Sequence, residues 1–500
     1  MKRWIVVLMS VLFTISWIPQ IQAQGKSLTP GDLYDAGIDQ FYKGECEEAI
    51  AAFTKLIQTF PTSNLVSYSH HMIGQCYLKM GRYEAALQQF EFYKATYPEG
   101  DRVKSSEQGI QFSREKLREK ARLSSPGKED KKVKRRICAQ VFFFEGKSLD
   151  QVEKKMKILK DSGVDTLILR VFQNKGDRMY RFANPRHEEG VYFKTDYAPV
   201  VDDVLGKMAE IAHRNGLEIF AWMTTRYANY GSEGHPELRG KSYNFETKKL
   251  EMARGYNLFH PEVIKRLEGL FRDLGRYPID GILFQDDLIL KHNEDFSTEA
   301  NKGFFKESGY SAHPDLFYID PYKSESGKYY VKAYSDKFLV WANWKNRWLM
   351  DVAKRLMAAA RESNPRLDFG INLYYETVLN GSNAVAWFSQ TLQEAQRTGF
   401  DYYAIMAYHR QTMNELNMEG KKAIDLMAEV AQKAVKSIGD PSQVMMKVQV
   451  LDWKRYEVIP AKEVETLLDH ILSQGKVSLA FVPYIDQFPL PSLKRKWVSQ

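Results

Sequence analysis

From residue 137 onward the chain alternates short apolar runs with amphipathic stretches. The apolar runs cover 137–144, 164–172, 217–224, 279–284, 367–374, 400–407, 444–450 and 477–482. Runs of this length, bounded by turn residues, predict strands buried on both faces. Helical periodicity at 149–162, 200–215, 261–275 and 336–362 separates several of them. Such alternation implies parallel pairing through right-handed crossovers. Eight units over about 350 residues suit an α/β fold of the (β/α)8, or TIM-barrel, type better than an open doubly wound sheet. One long insertion, 288–334, follows the fourth strand. Ahead of the barrel the pattern is helical and repeats itself. Gly44-Glu-Cys-Glu-Glu-Ala-Ile-Ala-Ala-Phe53 returns as Gly81-Arg-Tyr-Glu-Ala-Ala-Leu-Gln-Gln-Phe90, and Phe60-Pro61 returns as Tyr97-Pro98, both at an offset of 37 residues. A further helix at 102–122 is expected to cap this short stack.

The first residues set an expectation for the compartment. Lys2 and Arg3, the apolar run 4–18, Pro19 and the small-residue site around Ala23 predict a secretory leader over 1–24. The run is too short for a comfortable membrane anchor, and no later segment reaches spanning length. The expected location is therefore periplasmic, or associated with the outer membrane or cell surface, with no transmembrane segment after leader cleavage. Hydrophobic residues at 44% and charged residues at 27% describe an ordinary globular chain. Much of the +8 net charge lies in the Lys/Arg-rich stretch 114–136. That reads as a solvated linker, not as a nucleic-acid footprint. The predicted layout is leader 1–24, helical repeats 28–122, basic linker 123–136 and barrel 137–492. Three cysteines allow one disulfide at most: Cys46 and Cys76 either pair or remain buried thiols, and Cys138 is left over.

In a (β/α)8 barrel, chemistry collects where strands exit at their C-terminal ends. Those exits carry Gln140 and Glu145, Arg170 and Gln173, Trp222 with Arg226 and Tyr227, and the run Gln285-Asp286-Asp287. The later exits add Asn372, Tyr374 and Glu376, then Tyr408, then Gln449, Asp452 and Trp453, and finally Tyr484 and Asp486. Carboxylates and flat rings dominate, as a sugar groove requires: ring faces stack on pyranoses while carboxylates grip hydroxyls. Asp286 and Asp287 are the expected catalytic pair. Adjacent carboxylates repel, and burial of either raises its pKa toward that of a general acid. Because consecutive strand residues face opposite ways, both can serve one substrate only if the strand has ended there; otherwise one of them caps the turn or pairs with a cation. The histidines are scattered without ligand spacing, so neither a metal nor a cofactor is expected. There is no Gly-x-Ser-x-Gly elbow, and no glycine-rich phosphate fingerprint follows the first strand.

Two family resemblances add to this. The 37-residue repeat resembles the tetratricopeptide repeat, with Gly at the turn, Ala49 and Ala86 at close-packing positions and Pro at the exit. It reads either as a protein-docking module or as a spacer. The run Asp280-Gly-Ile-Leu-Phe-Gln-Asp-Asp287 resembles the signature of the C-terminal hydrolase domain of PgaB-type proteins, which process poly-β-1,6-N-acetylglucosamine. Ala221-Trp222-Met223, His260-Pro261-Glu262-Val263, Asn372-Leu373-Tyr374, Ala386-Trp387-Phe388-Ser389-Gln390 and Asp452-Trp453 agree in order. The resemblance implies an endo-acting glycosidase, not a deacetylase, that cleaves a partly deacetylated amino-sugar exopolysaccharide during biofilm polymer processing or export. It also implies Asp287 as general acid with Asp286 orienting the 2-amino substituent, or the reverse. Trp222, Gln285, Asn372, Tyr374, Glu376, Tyr408, Gln449, Asp452, Trp453 and Tyr484 are the implied substrate contacts. The chain departs from the family pattern at Gln285 (a His there), at Gln140 and Phe142 (acidic there) and at Ile371 (an Arg there). These departures keep a non-catalytic polysaccharide-binding scaffold in view as the alternative.

Overall fold

The computed structural model describes residues 29–123, 133–228, 230–309, 311–325 and 327–498. The expected leader and the middle of the basic linker, 124–132, lie outside them. The chain divides into two compact units near residue 129.

The described residues of the first unit form a stack of five helices: α1 (Pro30–Lys43), α2 (Cys46–Thr59), α3 (Leu65–Lys79), α4 (Tyr83–Thr96) and α5 (Val103–Leu123). Thr29 and Asp32 cap α1 reciprocally, and Gly44 ends it in the left-handed region at φ 88°. The repeat has a packing basis. A Cβ on Gly37 would meet the Phe53 ring at 2.6 Å, and one on Gly74 would meet the Phe90 ring at 2.6 Å. Both glycines and both phenylalanines stand 37 residues apart. Each repeat therefore seats a phenylalanine on a glycine of the preceding helix. Cys46, Cys76 and Cys138 are buried, unpaired thiols, the first two in one small core with Phe53 and Ile73.

The second unit is a closed barrel of eight parallel strands: β1 (Ile137–Val141), β2 (Thr166–Arg170), β3 (Glu218–Met223), β4 (Gly281–Phe284), β5 (Asp368–Leu373), β6 (Tyr402–Ala407), β7 (Val444–Gln449) and β8 (Ser478–Val482). They neighbour one another in chain order, and β8 closes on β1. Around them lie α6 (Leu149–Asp161), α7 (Leu205–Arg214), α8 (Pro261–Leu274), α9 (Thr298–Ser308) and α10 (Asp336–Arg361), with further helices between the later strands, among them Gly420–Ile438 and Ala461–Leu472. The helix expected at 200–215 starts later because Val201 donates to the Val191 carbonyl at 2.9 Å, which keeps the preceding chain extended. The insertion after β4 contains α9 and a hairpin, Tyr318–Lys323 with Tyr329–Tyr334. Gly281 is required in β4, since a Cβ there would meet Phe220 at 2.6 Å and the Asp368 carbonyl at 2.8 Å.

Arg136 corrects the expected linker end. It is buried and plugs the barrel floor, donating to Tyr402 Oη at 2.7 Å, Thr166 Oγ1 at 3.0 Å and Asp368 Oδ2 at 2.9 Å, and also to Glu218. Its guanidinium lies 4.6 Å from the Phe220 ring centre. A charged side chain is tolerated in this interior because every partner is polar or aromatic. From this floor, two-residue alternation and pairing register fix which side chains enter the barrel. Arg170 is opposite Trp222, Trp222 opposite Leu283, and Met406 opposite Lys447. Gln140, Arg170, Trp222, Asn372 and Lys447 therefore point inward near the C-terminal mouth.

Candidate active site

At the end of β4 the chain turns, and the two adjacent aspartates go separate ways. Asp287 is fully buried. Its Oδ2 accepts from Thr224 Oγ1 at 2.5 Å, Arg226 N at 2.8 Å and Tyr227 N at 2.7 Å. Its Oδ1 accepts from Thr225 Oγ1 at 2.8 Å, and Thr225 N lies 3.1 Å from both oxygens. Five donors from the loop after β3 thus enclose one carboxylate. Such a cage occupies both oxygens and leaves no lone pair for a substrate proton.

Asp286 is half-buried, and among the described residues no other residue's side chain or backbone N–H hydrogen-bonds its carboxylate. Burial raises its pKa; the Lys447 ammonium opposes that rise and the neighbouring Asp287 charge reinforces it. Lys447, on β7, is almost wholly buried and donates to Asn372 Oδ1 at 2.7 Å. Burial brings its pKa down to about 8, with Asp286 pulling the other way. Asn372 in turn donates from Nδ2 to the Phe284 carbonyl at 2.8 Å, which ties β7 to the root of the acidic turn. The segment after that turn is also clamped. Leu290 N donates to the Phe388 carbonyl at 3.1 Å, and Gln390 Nε2 donates to the Leu288 carbonyl at 3.2 Å.

Rings surround this pair. Trp222 packs on Phe142 at 4.9 Å between centroids, Tyr374 stacks on Phe388 at 4.0 Å, and Tyr408 meets Trp453 edge-on at 6.0 Å. Burial raises the pKa of the Tyr374 and Tyr408 hydroxyls, and the Asp286 charge adds to both. The other expected contacts are more occupied. Gln449 Nε2 donates to the Leu451 carbonyl at 2.7 Å and its Oε1 accepts from Gln411 N at 3.3 Å. Asp452 Oδ1 accepts from Lys454 N at 2.9 Å and Arg455 N at 3.1 Å, as a turn cap does. Tyr484 donates to Asp486 at 2.7 Å. Burial raises the pKa of Glu376, which opens a short helix (Glu376–Leu379), and Glu415 contributes to the rise. Asp286, Trp222, Gln285, Asn372, Tyr374 and Tyr408 therefore gather at the mouth, whereas Gln449 and Asp452 serve local turns.

Lys447, Thr224 and Thr225 were not singled out from sequence, and the part that Arg226 and Tyr227 play in the cage was not foreseen. Lys447 stands in an apolar run as a lone charge, and that was the available signal. A cavity of about 220 Å³ lies on the helix side of the wall, lined by Met223, Tyr230, Leu267 and others. It sits behind the Asp287 cage and away from the inward-facing groups. Among the described residues, no group of three or more His, Cys, Asp or Glu is placed to hold a metal ion, and no helix is long and apolar enough to cross a membrane.

Comparison with known proteins places this mouth in context. Residues 148–482 match the family described as hypothetical glycosyl hydrolase family 13, and residues 33–63 match the tetratricopeptide repeat. A curated relative, the poly-beta-1,6-N-acetyl-D-glucosamine N-deacetylase of Escherichia coli (strain K12), is 24% identical over 358 residues, covering 67% of this chain and 48% of that protein. The chain thus spans about half the length of that relative. Among solved structures, the PgaB (BpsB) glycoside hydrolase domain from Bordetella bronchiseptica superposes with a TM-score of 0.58 at 19% identity, covering 73% of this chain and all of that one. A beta-galactosidase from the haloarchaeon Halorubrum lacusprofundi gives a TM-score of 0.50 at 11% identity, over 70% of this chain and 52% of that one. At these identities the structural matches establish the fold.

Proposed function

The chain belongs to hypothetical glycosyl hydrolase family 13, and from that premise we propose that its barrel is an endo-acting glycosidase for an amino-sugar exopolysaccharide such as partly deacetylated poly-β-1,6-N-acetylglucosamine. The observation that carries the reading is the contrast within the acidic pair. Asp286 is a half-buried carboxyl in a ring-lined mouth with a raised pKa, and Asp287 is a caged, fixed charge beside it. A general acid must hold its proton near working pH and release it to the leaving oxygen. Burial moves Asp286 toward that requirement, whereas the oxygens of Asp287 are all engaged by its cage, so Asp286 is assigned as the acid, the reverse of Asp287 as acid. Asp287 acts as a positioning residue: its charge raises Asp286, and its cage fixes the loop after β3. Trp222, Tyr374, Tyr408 and Trp453 form the stacking surfaces for pyranose rings, with Gln285 and Asn372 as polar contacts. In this reading the helical repeats dock the enzyme to an exopolysaccharide export apparatus at the periplasmic or outer-membrane face.

The test is direct. The full chain is incubated with partly deacetylated poly-β-1,6-N-acetylglucosamine and new reducing ends are counted. Asp286→Asn is expected to lower turnover by roughly 10²–10⁴-fold, the usual contribution of a positioned general acid. If wild type binds the polymer and releases no reducing ends, the barrel is a binding scaffold and not a hydrolase.

A further inference from the structure

The cavity of about 220 Å³ behind the Asp287 cage has walls that are mainly apolar. Met223 comes from β3, Leu238 from the segment that follows, and Val263, Leu267 and Leu270 from the inner face of α8; all are buried. Thr224 and Thr225 line it too, so the residues that hold Asp287 have this cavity at their back. Two tyrosines complete the wall, and their hydroxyls differ. Tyr256 Oη donates to the Tyr230 carbonyl and accepts from Arg266 Nη1 at 3.1 Å. Tyr230 Oη is buried and meets no partner among the described residues. Buried hydroxyls are normally hydrogen-bonded, so this one, in an apolar cavity, points to an occupant that pairs with it.

Size and charge narrow the occupant. An apolar cavity of roughly 150 Å³ takes up benzene, so this one has room for a single ring with a substituent. Water is a poor complement, since it needs about two to four polar partners. The Thr224 and Thr225 hydroxyls are committed to Asp287, and that of Tyr256 is engaged. An anion is repelled by the fixed Asp287 carboxylate just beyond the two threonines and by exposed Glu262 on the lining. A cation is repelled by half-buried Arg266. That guanidinium is already held by the carbonyls of Tyr197, at 2.7 Å, and Gly231. Arg266 also lines an open surface depression with Tyr197 and Pro199, so its side chain stands between cavity and solvent.

We infer that this cavity is a binding site for a small, uncharged aromatic alcohol of phenol size, with its ring among Met223, Leu267 and Leu270 and its hydroxyl on Tyr230 Oη. The site is separate from the barrel mouth and does not rest on the glycosidase reading. Its occupant packs against Thr224 and Thr225, so binding stiffens the loop that holds Asp287.

The experiment titrates the full chain at neutral pH by fluorine NMR with three probes: para-fluorophenol, para-fluorotoluene, which lacks the hydroxyl, and para-fluorobenzoate, which is charged. The phenol is expected to bind roughly fivefold or more tighter than either of the others, the scale of one hydrogen bond, and to raise the melting temperature. Tyr230→Phe should bring the phenol and the toluene within roughly twofold of each other. Ala228→Leu, which fills the cavity from its wall, should abolish binding of all three. Thermal melts verify that both variants fold; Tyr230→Phe, which loses a single oxygen atom, carries the test if Ala228→Leu does not. A wild type that binds no phenol holds water only, and the inference falls. Equal binding of the toluene, tighter binding of the benzoate, or a preference for the phenol that survives in either folded variant overturns it as well. None of these outcomes bears on the hydrolase reading, which the release of reducing ends decides.

Discussion

Replacing Asp287 by Asn removes one negative charge and turns one acceptor into a donor inside a closed cage. The amide oxygen must occupy the Oδ2 site, where Thr224 Oγ1, Arg226 N and Tyr227 N converge at 2.5, 2.8 and 2.7 Å. The NH2 group then falls on the Oδ1 site, facing Thr225 N at 3.1 Å. The Thr225 hydroxyl can rotate to accept; the Thr225 backbone N–H cannot. Hydrogen bonds to a charged acceptor contribute roughly 1.5–3 kcal/mol net against about 0.5–1.5 for neutral ones. Weakening the bonds that remain, and setting one donor against another, costs about 3 kcal/mol in total. At no more than about 2 °C per kcal/mol for a large domain, the melting temperature should fall by several degrees, up to roughly 6 °C. Intrinsic tryptophan fluorescence is the suitable probe, because every tryptophan among the described residues lies in the barrel. Asp286→Asn, at a carboxylate with no such cage, should melt within about 1 °C of wild type while losing turnover. The reasoning is refuted if Asp287→Asn melts like wild type yet is inactive, for then Asp287 would act on substrate and not on the loop after β3. Equal destabilisation of the two variants would refute it as well.

Further expectations concern pH, stability, binding and the helical repeats. As the acid, Asp286 works protonated, so kcat/KM should hold at low pH and fall as pH rises through its raised pKa. Lys447 lowers that pKa, so Lys447→Met should move the falling limb to higher pH; a shift to lower pH would contradict the electrostatics. The Lys447 pKa in the folded chain, about 8, lies below its ordinary 10.5. The unfolded chain therefore binds more protons across that window, and wild-type stability should rise as pH climbs from about 8 to 10.5. At pH 7 this burial costs up to about 3 kcal/mol, partly offset by the bond to Asn372, so Lys447→Met should be no less stable than wild type in urea titrations. Trp453→Ala, which removes a half-buried ring packed on Tyr408, should raise KM about tenfold with kcat within about threefold. Gly74→Ala gains about 1 kcal/mol of helix propensity but drives a methyl to 2.6 Å from the Phe90 ring. Net loss of about 1–2 kcal/mol, seen as earlier urea unfolding of the repeat unit by circular dichroism, is expected.

Much of the architecture was legible because it is written in local periods. Eight apolar runs of strand length, separated by helical stretches, admit few topologies under the right-handed crossover rule, and the structure closes them in chain order. The 37-residue repeat was equally readable, since Gly37–Phe53 and Gly74–Phe90 are the same contact made twice. The position of the acidic pair at the exit of the fourth strand followed from the same periodicity. What each aspartate does there did not. Alternation ends where the strand ends, and the direction of a side chain in a turn depends on which donors meet it. Asp287 is captured by hydroxyls and N–H groups of Thr224 to Tyr227, some sixty residues away in sequence, while Asp286 is left to the mouth.

The same distinction separates Lys447 and Arg136 from their sequence surroundings. In the run 444–450 a single lysine reads as a break in an apolar strand, and at 114–136 an arginine reads as part of a solvated tether. Closing the barrel turns both inward. Lys447 then meets Asn372 and the field of Asp286, and Arg136 meets Thr166, Asp368 and Tyr402 across the floor. The sequence by itself determined the strands, helices, repeat and family likeness, because these follow from near-neighbour spacing and short motifs. Only the tertiary structure decided which charges are paired, which are caged and which face the ligand, because burial and hydrogen bonding join residues that the chain keeps far apart.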